Sequence, residues 1–445
     1  MVGEREDRRK DVEIVSIESL VPEEHLLRKI DAVLEDAYLY ELLRPLYSSN
    51  RGRKSIDPVV LIKMVLLQHL YGIRSMRQTA QEAEVNIAYR WFLGMDFHAK
   101  IPHFSTISYA FRKRFTSEIF EEIFTWILEK AMSLGYVEPE TVFIDSTHIK
   151  ACANNYKKRK KTALKAARVY EQQLREEIGG ERKEQGKKPF DDDDDEPPEE
   201  QEITESTSDP ESGVFRKGEH KTVFAYSAQT ACDKHNFVVG VEVNAGNVHD
   251  STAFDKIYER VTERLPEVKK VVMDSGYKTP WICKRVQEDG REAIMPYMRP
   301  KGRKSGYRPK EYVYEKERDC VICPQGEELR YRTTNRKGYR EYKSDPKVCQ
   351  QCGAREQCTR SKNCQKVVIR HIWADHVDKA EAVRQTEEGK KIYKERSRTI
   401  ERVFADAKEK HGMRYTNLRG LTRVGDWVKL KFACMNLKKM AVWEW

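Results

Sequence analysis

The chain has 445 residues, 35% of them charged and 39% hydrophobic, and a net charge of +10. That length suits two or three domains with a sizeable enzyme core, and the balance excludes a wholly disordered chain. No apolar run approaches the ~18 residues of a membrane span, and the opening MVGEREDRRKD is charged throughout, so neither a span nor a signal peptide is expected.

Residues 191–205 hold ten acidic residues and no Lys or Arg, which leaves about +20 on the remainder. An excess of that size favours a polyanionic partner. The compartment expected is reducing cytoplasm, because six of the ten cysteines fall in one stretch, Cys320 to Cys364, as metal ligands do.

Leu, Ile and Val at helical spacing predict helices over 22–47 and 57–71, with Pro22 and Pro58 in first-turn positions. After Gly72 the segments SMRQTAQEAE and NIAYRWFLG are short and periodic, with Ser75 and Asn86 as N-caps, and HFSTISYAFRKRF opens a third helix. This spacing resembles a helix-turn-helix array. Its basic residues Arg74, Arg77, Arg90, Arg112, Lys113 and Arg114, with Trp91, can meet phosphates and enter a groove. The same residues would also suit a plain helical bundle with a solvated basic face.

The character changes at residue 141. TVFID, KTVFAYSAQTACD and NFVVGVEVNAG are β-branched runs, the last two separated by a DKHN turn; a helix over 251–263 and the strand KKVVMD follow. Residues 157–218 interrupt this order with a Lys-rich helical stretch, the acidic block and a Ser/Pro/Asp-rich tail, an exposed and partly disordered insertion. Residues 311–364 form a second, cysteine-rich insertion. Helical patterns at about 394–411 and 422–442 close the chain.

In the second insertion Cys320-x2-Cys323 and Cys349-x2-Cys352 present four thiols at zinc spacing, with Cys358 able to replace one member of the first pair. Reduced thiols and disulfides are the alternatives. Cys152, Cys232, Cys283 and Cys434 sit among apolar residues and read as small core residues.

Asp145 and Asp274 each close a strand pattern, where a lone Asp most often caps the next turn. Glu401 lies on the helical SRTIERVFADAKEK, and three carboxylates are what two Mg²⁺ ions need while leaving positions for phosphate oxygens and water. Lys408 lies seven residues beyond Glu401, near the same helical face, where it can meet a phosphate. His148 and His249 read as hydrogen-bonded structural residues.

Tyr393, Arg396, Glu401 and Lys408 form a Tyr-Arg-Glu-Lys pattern with four residues between Arg396 and Glu401, one more than its commonest form, so Arg398 rivals Arg396. Together with IDSTHIKACAN, GNVHDS, MDSGY, NLRG and NLKK, the chain resembles, over roughly residues 50–445, bacterial insertion-sequence transposases of the DDE class. The resemblance implies an α/β, RNase H-like catalytic core over 138–156, 219–310 and 365–445, behind an all-α N-terminal DNA-binding module over 1–137. It implies that Asp145, Asp274 and Glu401 bind Mg²⁺ or Mn²⁺ and are catalytic, and that Tyr393, Arg396 and Lys408 contact DNA. One metal would activate water against a phosphodiester and the other stabilise the leaving 3′ oxygen, whose hydroxyl then attacks target DNA. Double-stranded DNA is the expected partner, with a homodimer on it, since joining two ends asks for two protomers; the nucleoid is then its working place. An RNase H-like nuclease without strand transfer, and a non-enzymatic zinc-containing DNA-binding regulator, are the rival functions.

Overall fold

The computed structural model describes residues 9, 12–48, 55–164, 170–188, 190, 200–217, 221–297 and 306–443. Its front is helical: α1 (Ile17–Leu20), α2 (Leu26–Val33), α3 (Asp36–Leu43), α4 (Pro58–Leu70), α5 (Met76–Val85), α6 (Ile87–Phe92), α7 (Phe104–Tyr109) and α8 (Ser117–Ser133). Ser75 and Asn86 cap α5 and α6 as the sequence predicts, accepting from the backbone N–H of Gln78 and Tyr89 at 3.2 and 3.1 Å. The single helix expected over 22–47 is instead two, broken where Leu34 and Glu35 are extended. Lys63 of α4 bridges the break, donating to Asp31 at 2.9 Å and Asp36 at 3.0 Å. The bend lets Leu27 and Ile30 share one core with Leu39 and Leu43.

The rest of the chain is mixed α/β. In order come β1 (Thr141–Lys150), β2 (Lys158–Leu164), α9 (Glu171–Glu184), β3 (Glu200–Ser206), β4 (Gly213–Lys217), β5 (Lys221–Cys232), β6 (Val238–Ala245), α10 (Asp250–Arg264), β7 (Lys270–Met273), α11 (Pro280–Glu288) and β8 (Glu292–Ile294). The main sheet runs β4-β5-β1-β7-β8, and β6 also pairs with β5. β1, β5 and β6 are successive antiparallel neighbours, whereas β7 lies parallel to β1 and β8 parallel to β7. The two parallel steps are crossovers through α10 and α11, the connection that parallel pairing requires.

Two expectations for residues 157–218 change. The Lys-rich stretch is helical only in part: its start is β2, paired antiparallel with β3, and the helix α9 follows. Alternate Lys and Glu side chains there meet across the strands, Lys160 reaching Glu202 at 2.7 Å and Arg159 reaching Glu205 at 2.6 Å, so its charge pattern suits a two-stranded ribbon. Residues 213–217 are likewise not a loose tail, because β4 extends the main sheet beside β5. The acidic residues 191–199 lie outside the described residues.

A second antiparallel sheet follows, ordered β13-β12-β11-β10-β9, from β9 (Val313–Glu315), β10 (Cys320–Ile322), β11 (Glu328–Thr334), β12 (Tyr339–Lys343) and β13 (Val367–His371). Two short helices, α12 (Pro346–Gln351) and α13 (Arg355–Cys358), lie between its last two strands. Its separate core has four buried residues, Tyr312, Val321, Leu329 and Tyr342. α9 ties it to the main body: Arg182 donates to the Thr334 carbonyl at 2.8 Å, and Trp373 donates to Glu177 at 2.5 Å.

The chain ends with α14 (Ala374–Gln385), α15 (Glu387–Lys394), α16 (Ile400–Glu409) and α17 (Leu421–Trp443). α17 is buried on most sides, through Val424, Val428, Phe432, Leu437 and Met440. It packs against α2, α4 and α8 and also against β6, where the buried Asn436 amide both donates to and accepts from the backbone of Val238 at 2.8 Å. One continuous core therefore joins the helical front to the main sheet. Cys232, Cys283 and Cys434 are buried as expected, but Cys152 is only half-buried. Among the described residues no helix is long and apolar enough to cross a membrane.

Candidate active site

The parallel ladder between β1 and β7 ends at the pair Ile144 and Met273, so the next residue on each strand is an aspartate, Asp145 and Asp274. β1 does not stop there, as its sequence pattern suggested. β5 continues the antiparallel pairing to Lys150, and Asp145 sits in mid-strand opposite Thr230. Asp274 turns the chain after β7, its Oδ1 accepting from the backbone N–H of Gly276 at 2.7 Å. The turn-cap role and the placement beside Asp145 coexist.

A third carboxylate joins them. Asp250, the first residue of α10, receives a hydrogen bond from the Gln229 amide at 2.8 Å, and Gln229 in turn accepts from the Tyr277 hydroxyl. A Cβ built on Gly276 would stand 3.0 Å from both Asp250 and Asp274, so the glycine leaves room for the two carboxylates at this turn. Burial pushes the Asp145 carboxyl up to about 6; Arg396 and the Ser146 N–H oppose the shift, and the charges of Asp274 and Asp250 add to it.

Arg396 follows α15 in a short 3₁₀ turn and is 7% exposed. Its Nη2 donates to Asp145 at 2.5 Å and its Nη1 to the Tyr393 hydroxyl at 3.2 Å. Arg398 is exposed, so of the two rival arginines it is Arg396 that the fold brings to the carboxylates. Glu401 lies on the exposed first turn of α16, a helix that packs on β1 and β5. The carboxylates that act most strongly on Asp145 are Asp274 and Asp250. Lys408 is half-buried near the end of α16, and its charge, with burial, helps hold the His148 imidazole below its usual range. His148 stacks on Phe215 of β4 with centroids 3.5 Å apart. His249 caps α10 through a 3.2 Å bond from Ser251 N–H, a structural role. Among the described residues no three His, Cys, Asp or Glu side chains are drawn together tightly enough to hold an ion as they stand.

The NLRG segment frames the site from below. Lys150 N–H donates to the Arg414 carbonyl and Thr416 N–H to the Lys150 carbonyl, both at 3.1 Å. Arg419 then donates to the Cys152 carbonyl at 2.9 Å, and Gly420 N–H to the Tyr226 hydroxyl, also at 2.9 Å. On the helical front, Arg74, Arg77 and Arg112 are exposed, with Arg77 stacked 4.4 Å from the centre of the Phe104 ring. Arg90 is instead consumed internally, donating to the carbonyls of Glu84, Asp96 and Ala99. Arg114 is half-buried and lies over Tyr47 at 4.4 Å.

Asp250 and Gln229 are the site residues that sequence reasoning did not single out. Asp250 was within reach of it, since it lies in the GNVHDS motif.

Residues 15–114 match a family described as a transposase domain, and residues 322–441 match one described as a transposase DDE domain. Arg396 and Glu401 fall inside the second match; Asp145, Asp250 and Asp274 lie between the two. No curated protein sequence matches the chain. Among solved structures, the Mos1 transposase paired-end complex with left transposon end is similar at 10% identity and a TM-score of 0.17, over 56% of this chain and 60% of that one. The chain thus spans less than two thirds of that relative's length. The chain thus carries one region that matches a transposase domain, in its helical front, and one that matches a transposase DDE domain, at its end.

Proposed function

We propose that the chain is a DDE transposase of the insertion-sequence class, which cleaves DNA at the ends of its element and transfers the freed 3′-OH strand to target DNA, using an RNase H-like core. The observation that carries this reading is the placing of the half-buried Asp145 and Asp274 together at the end of one parallel ladder, with Asp250 beside them. Three antiparallel strands followed by two parallel crossover strands, with the carboxylates at the central pair, support the RNase H-like assignment.

Asp145, Asp274 and Glu401 are the catalytic, metal-binding residues of this reading, and Asp250 belongs with them. The donor set fits a hard divalent cation. It is all carboxylate oxygen, and Asp145 is held protonated up to about pH 6 by burial and negative neighbours, an imbalance that Mg²⁺ or Mn²⁺ corrects. When bound, the ions supply an activated water and a stabilised leaving oxygen. Arg396 favours the ionised form of Asp145 and orients it, Tyr393 fixes the Arg396 guanidinium, and Lys408 meets a DNA phosphate. The exposed Arg74, Arg77 and Arg112 hold duplex DNA, and two protomers pair the ends. A structural Zn²⁺ in the cysteine-rich sheet completes the cofactors; the working location is the bacterial nucleoid.

The deciding experiment incubates the full chain with a pre-cut element end, a supercoiled target plasmid and Mg²⁺ or Mn²⁺. End-joined plasmid is expected. Nicks or breaks without joined product would overturn strand transfer and leave a nuclease.

A further inference from the structure

The second sheet is short of core. Four buried residues, Tyr312, Val321, Leu329 and Tyr342, serve five strands and two short helices, far less than a unit of this size needs to hold itself together. Its cysteines are arranged to make up the shortfall, though not as the pairs in the sequence suggest.

Cys323, Cys349, Cys352 and Cys358 line one cavity of about 30 Å³. That is space enough for an ion. Cys320 is absent from the wall. It is 2% exposed inside β10, paired across the ladder with Glu315 and Arg330. Along β10 it and Val321 point to opposite faces, and it is Val321 that shares a core with Cys323 and Cys358. Cys358, the last residue of α13, is on the cavity wall where Cys320 is not.

The surroundings of the four sulfurs suit thiolates. Gln325 N–H donates to Cys323 Sγ at 3.4 Å. Cys349 Sγ donates to the Ser344 hydroxyl at 3.1 Å, and that oxygen also accepts from the Lys366 N–H at 2.9 Å; once the thiol is ionised, the hydroxyl can turn its own proton to the sulfur. The Tyr312 hydroxyl lies 3.1 Å from Cys358 Sγ. The Lys366 ammonium stands 4.7 Å from the centre of the Tyr312 ring and donates to the Cys358 carbonyl at 3.2 Å, a cation set beside a cluster that becomes negative when four thiolates surround a divalent ion. A Cys sulfur swings by rotation about one side-chain bond, so closure on an ion is a change of rotamers at the cavity wall.

We propose that this sheet holds one Zn²⁺ on Cys323, Cys349, Cys352 and Cys358, with Cys320 a core residue and no ligand. The proposal rests on the structural-zinc reading above, narrows it to a ligand set, and is independent of DNA cleavage.

The test uses full-length protein purified under reducing conditions without chelator, with metal measured by elemental analysis. About one zinc per chain is expected in the wild type and in Cys320→Ala, with at least tenfold weaker retention against a competing chelator in Cys358→Ala. Zinc kept by Cys358→Ala and lost by Cys320→Ala would overturn the ligand set while leaving the zinc reading standing. Wild-type protein with no zinc and all these thiols reactive would overturn both. Because Cys358→Ala could fail by misfolding, wild type and Cys320→Ala are also loaded with Co²⁺. Matching tetrahedral, four-thiolate spectra in the two support the assignment, and loss of one thiolate in Cys320→Ala refutes it.

Discussion

Arg396 and Asp145, 251 residues apart in sequence, meet at 2.5 Å in an ion pair whose side chains are 9% and 17% exposed. The pair is the positive counterweight in a cluster that otherwise holds only carboxylates. Because Arg396 lowers the Asp145 proton affinity while burial, Asp274 and Asp250 raise it, removing the guanidinium moves the Asp145 titration upward from about 6. We predict that Arg396→Gln raises the midpoint seen by carboxyl carbon NMR in metal-free protein. An unchanged or lower midpoint would refute the electrostatic role of Arg396. The same shift has a stability consequence. Asp145 binds its proton more tightly folded than unfolded, so its ionisation withdraws stability as pH rises from below 4 through about 6. Asp145→Asn should therefore stabilise the metal-free protein at pH 8, by up to about 3 kcal/mol, and show no such gain at pH 3.5.

Asp250 receives its hydrogen bond from Gln229 at an oxygen that asparagine retains, so Asp250→Asn preserves the fold at this point. If the carboxylate charge is what matters, cleavage with Mg²⁺ falls by at least ~100-fold, as in Asp274→Asn, while binding of an end duplex stays within about twofold of wild type. Glu401→Gln is measured alongside. Cleavage by Asp250→Asn at the wild-type rate would reduce Asp250 to the start of a helix.

Four strands of the main sheet and two helix caps were legible in the sequence because their signals are local: β-branched runs at β1, β5, β6 and β7, and Ser75 and Asn86 before periodic segments. What was not legible depends on distant partners. The break at Leu34–Glu35 is bridged by Lys63 from another helix, and β2 is paired with β3, whose Glu202 and Glu205 meet Lys160 and Arg159. At the site, the choice of Arg396 over Arg398 needed the fold, since both sit near the Tyr-Arg-Glu-Lys pattern and only burial separates them. The helical front shows the same limit. Its periodicity says that an apolar face exists, not that α17, more than 280 residues later, is what covers it.

Gly72, at the turn between α4 and α5, tests how firmly that front is joined to the DDE end. Its φ is +63°, and a Cβ there would stand 2.6 Å from the Lys410 carbonyl at the end of α16. Gly94 has a similar φ of +67° but open space around it. Gly94→Ala should cost about 1 kcal/mol from backbone strain alone, and Gly72→Ala about 2–4 kcal/mol, because backbone must also move. Chemical denaturation of the two variants measures the difference. Equal losses would mean that the contact between Gly72 and the end of α16 contributes nothing.

The basic residues of the front divide by what they already hold, and the division predicts different phenotypes. Arg74 and Arg112 are exposed, and Arg77 is exposed above the Phe104 ring, so all three are available to phosphates. Arg90 serves three backbone carbonyls of its own loop. Replacing Arg74, Arg77 or Arg112 by Ala in the full chain should leave stability nearly unchanged. Each change should weaken binding of an end duplex and lower the slope of log affinity against log salt by about 1. Arg90→Ala should instead cost about 1–3 kcal/mol of stability, because its carbonyls lose a shared charged donor, with the salt slope retained. The full chain is the right vehicle. A fragment ending at residue 137 lacks α17 and bares the face of α8 that Ile123, Ile127 and their neighbours bury, so it should aggregate before it reports on DNA. Salt slopes unaltered in all three exposed-arginine variants would move the DNA-binding surface elsewhere on the protein.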